Sequence, residues 1–393
     1  MLARLSRLTM PVLILAVALL FYRLAFVSST SNEFTVPADR NLPWTIEPLH
    51  DEPLVATDQQ LKAVLAQVRP PLNPVNTNNW IHALRLWGTE AKFDDPQLPS
   101  GETMRNYFLD DAVFRQYAGE NTPPLFNITP EGLLVRGFDD DYDNTVSSSY
   151  HADDLLATLA ETGTPLDTVI HTRHGDSSVR TLLQTAMRSF HLDRHEYEWS
   201  MISYARYLYP VEAWKNKYGQ VISVDEMVNE MIEHPLFVGP CNGLHRMEAM
   251  VVLYRADEFV GKLSPFTKKR MLNHMVTVSQ LLAQSQSSEG SWTRRWPEGA
   301  LAVNDQTTTH FDKILVTGHH LEWTALAPEQ VLPPREHIIR ASQWLVTALQ
   351  EVSPDELSER YGPLSHSARA LCLWRGEQPY AVWKRVQNLH DQP

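Results

Sequence analysis

Cysteine is nearly missing from these 393 residues, with Cys241 and Cys372 the only two. At most one disulfide can form, so the fold has to rest on a packed core instead of covalent staples. Basic residues are also short, 34 lysines and arginines against 47 aspartates and glutamates, and no basic block stands out. Such a chain has little with which to neutralise a phosphate backbone, so nucleic acid is not an expected partner. Three nucleophile and phosphate signatures are absent: a Gly-x-Ser-x-Gly elbow, a glycine-rich phosphate cradle and a His-Glu-x-x-His zinc helix. No strand-rich segment is legible either. What the chain does have is 43% apolar and 9% aromatic content, enough to bury a large core and to exclude a disordered polymer.

One apolar run, from Met10 to Tyr22, follows Arg4 and Arg7 and is broken by Arg23 before Leu24 to Val27. A charged start followed by an apolar stretch is the export pattern. Residues 1–28 are therefore expected to be a signal anchor, forming an N-terminal hydrophobic helix, or a cleaved signal peptide, with the body outside the cytoplasm and the membrane as a partner through this segment. Residues 29–52, rich in Ser, Asn, Pro and acids, read as a tether, and residues 53–393 as one domain.

Within that domain two kinds of helix alternate. "LVATDQQLKAVLAQV", "SVRTLLQTAMRSF", "SVDEMVNEMIEH" and "REHIIRASQWLVTALQ" are amphipathic and suit an outer layer. Six other segments are apolar nearly all round and open on a histidine that is followed three residues later by a charge. These pairs are His82 with Arg85, His151 with Asp154, His195 with Glu198, His245 with Glu248, His319 with Glu322 and His366 with Arg369. Their histidines are 69, 44, 50, 74 and 47 residues apart, spacing that suits a repeated two-helix unit with long insertions. The expectation is an all-α fold, an (α/α) toroid of about six helical hairpins, with the imidazoles and charges gathered around a polar central cavity.

Positions three apart share one helix face, so each buried helix presents an imidazole beside a charge. Acid/base chemistry is one reading, with His151, Asp154, Glu198, His245, Glu248, His320, Glu322 and His366 as the candidate catalytic groups. The other is structural: each His and its acid satisfy one another in the core. The stretch "SWTRRWPEGALAVNDQTTTHFDK" breaks the helical pattern and reads as a loop, a candidate lid.

The stretch "LLAQSQSSEGSW" resembles the QW repeat of squalene-hopene cyclases, with Gln286, Gly290 and Trp292 in the motif positions. Together with the repeat, this makes the chain similar to the α/α-toroid proteins of the terpenoid cyclase and protein prenyltransferase superfamily. That resemblance implies an isoprenoid or small-ligand enzyme, and for the motif itself a structural role, tying the end of an outer helix to the next turn. Departures limit it. The Asp-x-Asp-Asp acid of the triterpene cyclases is absent, and Asp139, Asp140 and Asp143 in "FDDDYDN" read better as a solvated acidic loop than as a diphosphate site. Prenyltransferases of the superfamily bind zinc through Asp, Cys and His on different inner helices. Cys241, His245, His320 and His366 are the corresponding candidates here, a thiolate and imidazoles suiting tetrahedral zinc, although the Asp-x-Cys spacing is missing. In complement-type thioester domains "GPCNGLH" would need a Gln where Leu244 stands. Two further readings remain open: a carbohydrate-active enzyme such as a polysaccharide lyase or glycosidase, with a glycan in the cavity, and a non-catalytic ligand-binding scaffold.

Overall fold

Many helix starts are fixed by side-chain caps that the sequence spells out. Thr57 with Gln60, Ser223 with Glu226 and Ser353 with Glu356 each form a reciprocal capping box, satisfying backbone N–H groups that the first turn leaves without partners. A computed structural model describes residues 34, 36–72, 77–137, 149, 151–194, 196–210 and 213–387. In chain order its helices are α1 (Asp58–Gln67), α2 (Thr77–Trp87), α3 (Gly101–Leu109), α4 (Asp111–Ala118), α5 (Asp154–Glu161), α6 (Val179–Ser189), α7 (Glu198–Tyr207) and α8 (Val224–Glu233). They continue with α9 (His245–Val260), α10 (Pro265–Ser285), α11 (His310–Leu326), α12 (Arg335–Gln350), α13 (Pro354–Glu359), α14 (Tyr361–Trp374) and α15 (Pro379–Gln387). The chain is mostly helical, as expected.

Six of these helices are buried on every side. In α9, for example, every residue from His245 to Asp257 is buried. The amphipathic α10 instead buries Thr267, Met271, Met275, Val278, Ser279, Leu282 and Ser285, a single stripe at three- and four-residue spacing. The buried helices touch in a closed order: α2 meets α5, α5 meets α7, α7 meets α9, α9 meets α11, α11 meets α14, and α14 returns to α2. Amphipathic helices lie against them, α3 on α2, α6 on α5, α10 on α9, α12 on α11 and α15 on α14. The approach of α11 to α14 depends on Gly318, where an added Cβ would lie 2.1 Å from Ser367 Oγ and 3.0 Å from Ser367 Cα.

Among the described residues three antiparallel hairpins, which the sequence pattern did not disclose, interrupt the helices: β1 (Phe126–Thr129) with β2 (Gly132–Val135), β3 (Val169–Thr172) with β4 (Gly175–Ser178), and β5 (Trp214–Lys215) with β6 (Val221–Ile222). Each turns on a glycine at positive φ, namely Gly132, Gly175 and Gly219. Strands of two to four residues are too short to display an alternation.

The segment read as a tether lies on the body. Arg40 N–H donates to the Tyr207 carbonyl (2.7 Å), Trp44 N–H to Arg206 (2.9 Å), Leu49 N–H to Ala325 (3.3 Å) and Glu52 N–H to Trp374 (2.8 Å). These carbonyls end α7, α11 and α14, so the strap supplies donors that helix C-termini otherwise lack. Residues 1–28, the expected anchor, lie outside the described residues. Among the described residues no helix is long and apolar enough to cross a membrane.

Candidate functional site

Imidazoles from five parts of the chain meet among the buried helices. The His319 and His366 rings are 4.2 Å apart between centroids, His245 lies 5.2 Å from His319, His151 4.9 Å from His245, and His82 5.1 Å from His366. Trp199 packs against His245 at 4.8 Å. His195, the sixth histidine of the register, lies outside the described residues. Each ring is oriented through Nδ1. His245 Nδ1 pairs with Glu196 Oε1 (3.2 Å), His366 Nδ1 with Glu322 Oε2 (2.6 Å), His319 Nδ1 with the Leu315 carbonyl (2.8 Å) and His82 Nδ1 with the Asn78 carbonyl (2.8 Å). The second oxygen of Glu196 holds His151 Nδ1 at 2.9 Å, so one carboxylate orients two rings. Burial opposes charge on His151, but hydrogen bonds with Cys241 and Glu196 outweigh it and raise the imidazole to about 9. Burial pushes His82 down to about 3. Glu196 is itself held at about 2, its bonds to the two imidazoles overcoming the burial penalty.

A layer of charge adjoins the imidazoles, and each of the six buried helices supplies one member. In chain order these are Arg85 on α2, Glu161 on α5, Arg206 on α7, Glu248 on α9, Glu322 on α11 and Arg369 on α14. Arg85 pairs with Glu161 and Glu248 and lies 3.4 Å from Glu322. Arg369 reaches Glu322 at 2.5 Å, Glu248 at 3.5 Å and Glu161 at 3.6 Å, while Arg206 meets Glu161 at 3.3 Å. Three guanidinium groups thus face three carboxylates. That balance is what permits burial, because an unpaired charge here would carry a large desolvation cost. Arg85, Arg369 and Arg206 hold Glu161 at about 2 against the burial penalty.

The loop before α9 brings in the thiol. Cys241 and Asn242 adopt left-handed backbone angles, φ 47° and 58°, between Gly239 (φ 117°) and Gly243 (φ 70°). Left-handed non-glycine residues are unfavourable and persist only where their surroundings impose them. Arg246 does so here: it donates to the carbonyls of His234 (3.2 Å), Pro235 (3.0 Å) and Val238 (2.9 Å), and lies 3.5 Å from Glu198. A Cβ on Gly243 would lie 2.7 Å from the Leu236 carbonyl oxygen. The partly buried Cys241 thiol sits among His151, His245 and His319, which draw it well below the ordinary thiol range against the effect of burial.

Of the candidates named from sequence, the fold brings together His151, His245, His366, Cys241, Glu248 and Glu322. His320 lies elsewhere. It accepts a hydrogen bond from Trp323 Nε1 (3.1 Å) and packs against Trp292 and Trp296 at 5.6 and 4.7 Å, while its neighbour His319 takes the central position. Asp154 binds Ser149 Oγ (2.5 Å) and its burial lifts it to about 6, and Glu198 serves the Cys241 loop through Arg246. Glu161, Glu196 and Arg206 were missed. Glu196 precedes α7 and belongs to no helical period, whereas Glu161 and Arg206 sit near the far ends of their helices, outside the His-x-x-charged register. The candidate lid packs as a 3-10 turn (Trp296–Ala302) against α10. At the motif turn, Gln286 Nε2 donates to the carbonyls of Gly290 and His337, both at 2.8 Å, and Trp292 Nε1 to that of Leu282 at 2.9 Å. The turn is thereby tied to the ends of α10 and α12. The acidic stretch holding Asp139, Asp140 and Asp143 lies outside the described residues. No protein family, curated protein or solved structure matches the chain.

Proposed function

We propose that the chain is an α/α toroid and that the imidazole-lined part of its ring is the centre of an enzyme acting on a small polar molecule. The closed order of contacts among the six buried helices supports the ring. The enzymatic reading is carried by one observation, the bridging of His151 and His245 by Glu196. A carboxylate that holds an imidazole by Nδ1 fixes its tautomer and raises its basicity, as acid/base catalysis requires. His151 is the more accessible of the pair, its side chain 10% exposed against 1% for His245.

The charge layer favours a polar substrate over the isoprenoid that the cyclase resemblance implies. In a toroid of that kind the hollow would have to receive hydrocarbon, but here it is filled by Arg85, Arg206, Arg369 and their three carboxylates. Apolar material placed against those groups would desolvate them without replacing their partners. A polar substrate, including a glycan fragment, would instead meet His151, the less deeply buried of the pair. Residues 1–28 would tether this centre outside the cytoplasm.

Thermal-shift measurements with acidic oligosaccharides and with isoprenoid diphosphates separate the readings, since a ligand at about 100 times its Kd adds about 2.7 kcal/mol to stability. The expected result is stabilisation by the polar set, lost in Glu196→Gln. Stabilisation by isoprenoid diphosphates alone would restore the cyclase-like reading, and no shift with either set would favour a non-catalytic scaffold.

A further inference from the structure

Three of the central imidazoles carry a feature that acid/base work leaves unused. His245, His319 and His366 each hold a partner through Nδ1, and in all three the remaining nitrogen, Nε2, is buried and makes no hydrogen bond of good geometry, the Cys241 thiol being a near neighbour of His245 and His319. The residues are 1%, 3% and 2% exposed. An orphaned polar atom at such depth is uncommon, and three from separate helices are gathered here. One ring nitrogen from each lies within 4.8 Å of those of the other two.

We propose that His245, His319 and His366 bind a first-row transition-metal ion of the zinc class through their Nε2 atoms. One ring nitrogen of each residue already lies within 4.8 Å of the others, so modest ring movements bring three imidazoles to the roughly 2.0–2.1 Å of a Zn–N bond. The outer contacts are those such an ion needs. Ligating histidines donate their second N–H to a carboxylate or carbonyl, which sets the tautomer; Glu196 and the Leu315 carbonyl are in place to accept from His245 and His319, and Glu322 from His366, whose Nδ1 also lies 2.9 Å from Arg85 Nη1. Imidazole donors suit zinc, copper, iron and nickel and disfavour magnesium and calcium.

Three protein ligands leave a tetrahedral ion one position for water or a substrate atom. Cys241 groups with His151 and His245 and its thiol also lies against His319, so it adjoins the three-imidazole set without being counted among its ligands. This deepens the reading above and depends on it only for the existence of the polar centre. A water bound at the fourth position would be acidified by the ion, with the His151–Glu196 pair beside His245.

The test uses the full chain, stripped with a chelator and reloaded with Zn²⁺ or Co²⁺. One ion per chain is expected by elemental analysis, with visible Co²⁺ bands and a higher melting temperature on reloading. His319→Ala and His366→Ala should each weaken binding at least tenfold, whereas Cys241→Ala and His320→Ala should keep full stoichiometry. Should the alanine variants fail to fold, the ¹⁵N shifts of the three Nε2 atoms in the native chain on Zn²⁺ addition decide instead. Absence of stoichiometric binding, retention of metal in both His319 and His366 variants, or its loss from Cys241→Ala would overturn the assignment. Metal binding without any polar-ligand shift supports this inference while removing the enzymatic one. Ligand shifts in a chain that binds no metal do the reverse.

Discussion

His319 and His320 are adjacent in sequence and end in unrelated surroundings, because one residue turns a helix by about 100°. His319 faces the other imidazoles, and His320 sits among three tryptophans with Trp323 donating to it. Replacing His320 with Phe leaves the Trp323 N–H without a partner, which should cost about 1–3 kcal/mol in a denaturant titration without disturbing the central rings. The His-x-x-charged register was visible in the sequence, but the phase of the helix that chooses between the two histidines was not. A second residue-scale prediction concerns Lys262, whose ammonium donates to the Tyr204 and Leu208 carbonyls. Burial, helped by Arg40, lowers its pKa from 10.5 to about 7. Between those values the unfolded chain holds a proton that the folded chain has released, so this residue makes stability rise with pH across that window. Urea midpoints measured from pH 7 to 10 should show a rise in the native chain that is diminished in Lys262→Met.

At the scale of elements, the capping boxes and amphipathic stripes were readable because each is a local pattern. The hairpins were not, being too short for a period. The reading of where α11 begins was also displaced: capping by Thr309 starts it at His310, so His319 lies in its third turn and not at its opening. Two glycines carry the contacts between elements. Gly318→Ala inserts a methyl where Ser367 already stands and should push α11 from α14, a loss of about 1–3 kcal/mol by the usual cost of overpacking. Gly243→Ala meets the Leu236 carbonyl at a left-handed position. It should displace the Cys241 loop, seen as a changed alkylation rate of Cys241 with little change in overall helix content.

Over the whole molecule, six helices each lend one charge to a balanced buried set, and five imidazoles adjoin it. Removing one member unbalances the set, so Glu322→Ala, which leaves three guanidinium groups facing two carboxylates and takes the carboxylate from His366, should cost about 3–5 kcal/mol. Four of the six charges, Arg85, Glu248, Glu322 and Arg369, followed from the repeated register, while Glu161 and Arg206 depend on how neighbouring helices are set against one another, which no single helix encodes. The meeting of the imidazoles is the central claim, and proton–proton Overhauser effects between rings in histidine-labelled protein test it most directly. The prediction is a connected path from His151 through His245, His319 and His366 to His82, with His320 outside it. Rings that show no mutual contacts, or a His320 that joins the path in place of His319, would contradict the account.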